Sequence, residues 1–359
     1  MKILVSIGDL SFGGAERVLS ILSGTFADSF EEVIYLLWTT TPDCYKIDSR
    51  IRIARLPEIS MESKKIKNIK SFRRFVEAES PDLIVSFLTP FNMLILLSGV
   101  AARYKVIVCE RNDPNNIKGG WIMRIIRNHL YRKAKLCLMQ TEHEKNGYPK
   151  YIRTKSRVIY NPVNMSEHYR GSALKTEKED LIVSVGRLHH QKNQAMIIKM
   201  MQRLHPIFPK CKLVIYGDGE LRDELEKMIS DMKLGDVVLL PGSSPRVWDN
   251  IIRAKCFILS SDYEGMSNAL IEAMCLGLPV ISTKVSGATD LIQDGVNGVL
   301  IDVRNENALF DSTVRLLKNP DYAKSLAMQA VKVYDKLSLD TIGREWVRVM
   351  KEVENKTQI

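Results

Sequence analysis

The stretch Ser260-Ser261-Asp262-Tyr263-Glu264-Gly265-Met266-Ser267-Asn268-Ala269-Leu270-Ile271-Glu272 sets two carboxylates eight positions apart. Glu264 falls in a tight loop after an apolar strand, and Glu272 falls inside a helix. Ser267 suits that helix's N-cap, and Gly277, just past Cys275 and Leu276, suits its C-terminal stop. Such a helix turns its unpaired N–H groups and partial positive charge toward whatever sits between loop and helix, a position that favours phosphate. Carboxylates beside a phosphate would repel it. They suit hydroxyl groups, a sugar on one side and a ribose on the other. The residues read as a nucleotide-sugar pocket.

Breaking an anomeric C–O bond piles negative charge on the departing diphosphate, so cations must be waiting. Many sugar transferases hold a metal with an Asp-x-Asp pair, and none occurs here. Asp262-Tyr263-Glu264 comes nearest and reads instead as part of the sugar loop. Arg187 and Lys192, five residues apart across a strand–helix turn, remain as a diphosphate clamp. Arg can fork to two phosphate oxygens and Lys supplies a point charge. The plainer alternative is a pair of surface cations at a helix start. Glu220 follows Gly217-Asp218-Gly219 at a strand end, where ligands meet open α/β sheets, although Glu220–Glu226 is also an ordinary acidic helix start. The apolar neighbours of Glu272 favour a buried, paired carboxylate.

Further pieces stand in a fixed order along the chain. They are Gly13-Gly14-Ala15-Glu16-Arg17, then Gly186-Arg187-Leu188 with Lys192-Asn193, then Tyr216-Gly217-Asp218-Gly219-Glu220-Leu221-Arg222. After the carboxylate pair come Gly277-Leu278-Pro279-Val280-Ile281 and Gly287-Ala288. In this order the sequence resembles the retaining glycosyltransferases of family 4, over nearly the whole chain. Within them it looks most like bacterial enzymes that extend lipid-linked oligosaccharides, O-antigens or capsules.

The resemblance implies the GT-B fold, with two Rossmann-like domains facing across a cleft and a last helix crossing back to the first. It implies that Glu264 holds sugar hydroxyls, that Glu272 holds the ribose, and that the amides of Met266, Ser267 and Asn268 beside Gly265 bond phosphate or sugar oxygens. Gly186, Gly217, Gly219 and Glu220 join the donor site. Gly13-Gly14 would pack against the diphosphate from the other domain, and Glu16 either joins the acceptor site or caps its own helix. The sequence departs from relatives at Arg111, which stands where many carry a His. Arg111 reads as a contact for an acceptor diphosphate or sugar oxygen. In a retaining reaction the departing phosphate can take the acceptor's proton during same-face attack; a double displacement through a carboxylate is the other route. The implied enzyme needs no metal and no cofactor beyond a UDP-sugar donor. A nucleotide-sugar epimerase and a non-catalytic nucleotide- or lipid-binding module on the same fold are the alternatives.

A chain of 359 residues accommodates two ordinary domains. Short β-branched runs alternate with helical stretches, the rhythm of parallel sheets wrapped by helices. Strands are expected near 2–8, 32–38, 51–56, 82–88, 105–109, 135–140 and 156–160, then 181–185, 212–216, 237–240, 256–260, 279–282 and 299–302. The proline break at Tyr160–Asn164 and the polar stretch Gly171–Asp180, with little to bury, mark the linker. Residues 1–164 form an acceptor domain, 165–338 a donor domain, and 339–359 the returning helix. Leu83–Ala102 lacks charge for 20 residues, but Pro90 and Asn92 at its middle make it a strand, a turn and a buried helix rather than a membrane span.

Six Cys form no C-x-x-C pair and read as small buried hydrophobes. The chain starts directly on a strand with no signal segment ahead of it, which reads as cytoplasmic. The formal charge of +10 is lopsided: up to Met165 there are 26 Lys and Arg against 16 Asp and Glu, and beyond it 26 against 26. The excess is densest in Lys64–Phe75 and Lys118–Lys135. In the latter, Trp121, Ile122, Met123, Ile125 and Ile126 alternate with Arg124, Arg127, Arg132 and Lys133. Each run could be a solvated face. Together they fit an anionic membrane surface, the cytoplasmic face of an inner membrane, and no nucleic-acid motif accompanies them.

Overall fold

The computed structural model describes the chain except residues 12, 40, 57–64, 112, 115, 116, 118 and 356–359, and the side chains of 65–68. Much of the basic run from Lys64, and Lys118, thus lies outside the described residues. Two compact units emerge: Met1–Asn164 with Leu337–Ile359, and Met165–Lys336.

The first unit is built on a seven-stranded parallel sheet. Its strands are β1 (Lys2–Ile7), β2 (Glu32–Leu37), β3 (Arg52–Arg55), β4 (Leu83–Phe87), β5 (Lys105–Cys109), β6 (Leu136–Met139) and β7 (Ser156–Val158). They lie in the order β3-β2-β1-β4-β5-β6-β7. The second unit carries β8 (Leu181–Val185), β9 (Lys212–Tyr216), β10 (Val238–Gly242), β11 (Cys256–Leu259), β12 (Val280–Thr283) and β13 (Val299–Ile301). Its six parallel strands run β10-β9-β8-β11-β12-β13. The strands among the described residues stand where the sequence places them; those covered on both faces become nearly unbroken apolar runs, while β3 is an edge strand with no buried residue. Leu83–Phe87 is buried throughout.

Each sheet grows outward from its first strand in both directions, so each has a topological switch point, at β1/β4 and at β8/β11. In open parallel sheets the carboxyl ends flanking that point form the binding crevice. The second switch point is therefore served by two loops, the one leaving β8 and the one leaving β11. These are the loops that carry Arg187, Lys192 and Glu264.

The uncharged segment after Asp82 becomes β4, a helix Thr89–Leu97 with Pro90 in its first turn, and a short 3-10 turn Val100–Ala102 after left-handed Gly99. No helix among the described residues is long and apolar enough to cross a membrane. The last helix, Leu339–Asn355, belongs to the first unit and packs on the helix Gly14–Ser29. Trp346 is its anchor, edge-on to Phe26 at 6.1 Å and stacked on Phe87 at 5.8 Å. Ile342, Val349, Met350 and Val353 are buried along the same helix.

Of Gly171–Asp180, only Gly171 and Ala173 are buried. Ala173 is fully buried, and the Gly171 amide donates to the Cys275 carbonyl at 2.9 Å, which pins the segment to the end of the helix Asn268–Leu276.

Candidate functional site

The loop leaving β8 runs Gly186-Arg187-Leu188, passes a short 3-10 turn His190–Lys192, and enters the helix Gln194–Leu204 through left-handed Asn193. Arg187 is exposed, and its guanidinium meets no carboxylate among the described residues. Lys192 turns back over Gly186, where an added Cβ would lie 3.4 Å from its Cδ and Cε. Its ammonium reaches Glu264 in a direct ion pair. The Lys192 and Glu264 side chains are 20% and 9% exposed, so water screens the pair only in part.

Glu264 also accepts from Ser261 Oγ at 2.8 Å. The two residues read as cation and sugar ligand are thus brought together by loops from adjacent strands. Further bonds join these loops. Ser260 Oγ donates to the carbonyls of Lys192 and Asn193 at 2.8 and 3.0 Å. The Asp262 amide donates to the Gln191 carbonyl at 2.8 Å, and Gln191 Nε2 donates to the Tyr263 carbonyl at 2.9 Å.

Beyond Glu264, Gly265, Met266 and Ser267 are buried and Asn268 opens the helix. Ser267 is the N-cap, accepting from the Leu270 amide at 3.4 Å, and Gly277 closes the helix at φ 83. Gly287 lets the next helix, Ser286–Leu291, approach this loop: a Cβ there would stand 2.7 Å from the Gly265 carbonyl oxygen and the Met266 Cα. Gly217, at φ 139, and Gly219 serve a similar end, since a Cβ on either would overlap the Gly186 or Leu188 carbonyl. These glycines hold the β8 and β9 loops in backbone contact. Glu220 sits at the rim, 3.6 Å from His189 Nε2.

Glu272 is buried, and its carboxylate accepts the indole N–H of Trp248 at 2.8 Å. Trp248 was not singled out from the sequence, where it lies in a polar stretch without a motif. Tyr169 stacks edge-on to Trp248 at 5.2 Å and donates to Asp249 at 2.6 Å.

Four of the expected site residues fall in the first unit. Gly13, in extended conformation, is the N-cap of a helix that begins at Gly14, one residue before the expected Ala15. The Glu16 carboxylate folds back over Gly13 so closely that a side chain there would collide with it. Glu16 is the third helical position, from which a glutamate can reach back toward the N-cap amide.

Arg111, expected to contact an acceptor, is buried, lying over the Phe87 ring at 4.8 Å and the Trp346 ring at 5.6 Å. Its Nη1 donates to Asn161 Oδ1 at 2.8 Å. Burial lowers its pKa, and the charges of Cys109, Glu144, Glu16 and Glu110 act in the other direction. Two aromatic faces and one amide oxygen make this an internal post that ties the last helix to the sheet. Arg127, read as part of a basic face, also turns inward, its Nη1 on the Pro114 carbonyl at 2.9 Å and its guanidinium over Tyr148 at 4.4 Å.

The same helix, Gly120–Tyr131, exposes Trp121, Ile122, Ile125 and Ile126, with Trp121 67% accessible. Arg124, Arg132 and Lys133 are exposed around them. Of the six cysteines, Cys44 is exposed and the other five are buried as free thiols.

Comparison with known proteins bears on this arrangement. The family described as Glycosyl transferases group 1 matches residues 165–333. Over 99% of both chains, the sequence is 27% identical to a Campylobacter jejuni enzyme named GalNAc-alpha-(1->4)-GalNAc-alpha-(1->3)-diNAcBac-PP-undecaprenol alpha-1,4-N-acetyl-D-galactosaminyltransferase. It is 25% identical to the amylovoran biosynthesis glycosyltransferase AmsD of Erwinia amylovora, over 96% of this chain and 98% of that one. Anabaena HepE, solved in complex with UDP, superposes with a TM-score of 0.81 at 17% identity, covering 98% of this chain and 100% of its own, a likeness of fold. The second unit thus matches the group 1 glycosyltransferase family, and the chain is a glycosyltransferase of the GT-B fold that resembles bacterial enzymes of lipid-linked glycan assembly.

Proposed function

We propose that this enzyme moves an N-acetylhexosamine or hexose from a UDP-sugar to a lipid-linked glycan, with retention of anomeric configuration and without a metal. The observation that carries the reading is the Lys192–Glu264 pair at the β8/β11 switch point, with exposed Arg187 on the same loop as Lys192. The donor would lay its diphosphate near Arg187 and Lys192 and its sugar against Glu264. When the anomeric bond breaks, the leaving diphosphate gains charge that a pre-placed guanidinium and ammonium stabilise more than they stabilise the intact donor. Glu264, relieved of part of its hold on Lys192, is free to accept sugar hydroxyls. The acceptor hydroxyl attacks from the leaving-group side and gives its proton to a departing phosphate oxygen, so no side-chain base is required. Glu272, oriented by Trp248, suits the ribose. The relatives' printed activities on undecaprenol-linked glycans, and the UDP held by the structural neighbour, support this choice of substrates.

The exposed apolar patch of the helix Gly120–Tyr131 fits the same substrate. Trp121, Ile122, Ile125 and Ile126 would enter the interfacial layer of an anionic bilayer, with Arg124, Arg132 and Lys133 at the headgroups. The acceptor would then be met at the cytoplasmic surface of the membrane.

The reading is tested by incubating the enzyme with UDP-N-acetylgalactosamine, UDP-N-acetylglucosamine, UDP-galactose or UDP-glucose and a polyprenyl diphosphate-linked glycan, with and without EDTA. An α-linked product from one of these α-configured donors, formed equally in EDTA, is expected. A β-linked product, or turnover only with added metal, would overturn it.

A further inference from the structure

Asp262 lies two residues before Glu264, and both of its carboxylate oxygens are engaged. Asn193 Nδ2 donates to Oδ1 at 3.0 Å. Arg304 forks onto Oδ2 through Nε at 2.9 Å and Nη2 at 2.5 Å. Both donors belong to residues in the left-handed region, Asn193 at φ 46 and Arg304 at φ 62. Asn tolerates that conformation, but Arg rarely adopts it, and side chains held so cost backbone strain that the surroundings must sustain.

Arg304 stands in the turn between β13 and the helix Glu306–Lys318, outside every motif of the site. Its side chain is 74% exposed while that of Asp262 is only 14% exposed. An exposed ion pair of this kind adds little to global stability. What it does locally is hold Asp262 against Asn193, and so hold the loop that presents Glu264 to Lys192.

We propose that Arg304 is a positioning residue for the donor loop, acting through Asp262. The proposal rests on reading the Asp262–Glu264 loop as the sugar-binding loop. The fork keeps Ser260–Met266 on the Gln191–Asn193 turn, so the Lys192–Glu264 geometry exists before the donor arrives. Preorganisation of this kind is felt in the rate, since a displacement of about 1 Å can cost ~100-fold.

Arg304→Gly separates this role from a structural one, because glycine is at ease at φ 62 and relieves the backbone. The thermal midpoint should hold or rise slightly. Amide hydrogen exchange in Ser260–Met266 should quicken ~10-fold while the rest of the second unit is unchanged. The kcat with a UDP-sugar should fall ~10–100-fold with donor KM altered less. Asp262→Asn should behave alike, the double variant should be no worse than either single one, and Arg304→Lys should recover part of the rate.

Unchanged exchange in Ser260–Met266 would overturn the proposal whatever the activity. So would faster exchange with an unaltered kcat, or additive losses in the double variant. If the wild-type enzyme transferred no sugar, the functional reading would fall, and the exchange measurement would still decide whether the fork holds the loop.

Discussion

The Lys192–Glu264 pair offers a perturbation whose size follows from its surroundings. Lys192→Met keeps the aliphatic stem that lies over Gly186 and removes the charge, leaving Glu264 with the Ser261 hydroxyl among its described donors. A fully buried carboxylate stripped of its cation loses ~3–5 kcal/mol. Here the Lys side chain is 20% exposed and the Glu 9%, so water offsets part of the loss and ~1–3 kcal/mol is expected. Glu264→Gln should cost about 1 kcal/mol, because the released ammonium can turn to solvent. Removing both charges should be milder than the sum, with a coupling of ~1–2 kcal/mol.

Urea unfolding followed by tryptophan fluorescence reads this, with Trp248 reporting on the second unit and the two units fitted as separate transitions. On activity, Lys192→Met should lower kcat ~100–1,000-fold with a smaller change in donor KM, since the leaving charge develops in the transition state. Strictly additive stabilities, together with a kcat within about threefold of wild type, would refute the reasoning.

Three further outcomes follow from the same geometry. Gly287→Ala should destabilise the second unit by ~1–3 kcal/mol and raise donor KM, because the new methyl stands 2.7 Å from the Gly265 carbonyl; calorimetry and kinetics check both. Burial, with Glu110 nearby, pushes the Glu144 carboxyl up to about 8, so the folded state binds a proton that the unfolded state has already released above about pH 4.5. Stability should therefore decline as pH rises from about 4.5 to about 8, and Glu144→Gln should flatten that slope and gain ~2–4 kcal/mol at pH 9, measured by urea unfolding across pH. Trp121→Ser with Ile125→Ser should abolish co-sedimentation with phosphatidylglycerol vesicles and leave UDP binding unchanged; undiminished sedimentation would discard the membrane face.

Much of this architecture was legible because its causes are local. Parallel strands covered on both sides announce themselves as apolar runs, as at Leu83–Phe87, and a Ser–Gly bracket such as Ser267 and Gly277 delimits a helix from its own backbone needs. Where side chains go after the chain returns upon itself is a different matter. Nothing near Trp248 says that its indole will meet a glutamate 24 residues on, and nothing near Arg304 points to Asp262. The burial of Arg111 is hidden for the same reason. Its two aromatic shelves come from β4 and from the last helix, so the pull inward exists only once the sheet is assembled. Arg127 shows the complementary trap: in a run of basic and apolar residues it looks solvated, yet helix phase aims it at Tyr148.

The proposed transfer requires a diphosphate to meet the cations on the loop that leaves β8. Arg187 is the cleanest probe of it, since the side chain is exposed and its guanidinium meets no carboxylate among the described residues. Titration calorimetry of UDP into wild type and Arg187→Ala, at one ionic strength, should give affinity ~10–100-fold weaker for the variant. Equal affinities for the two proteins would contradict it.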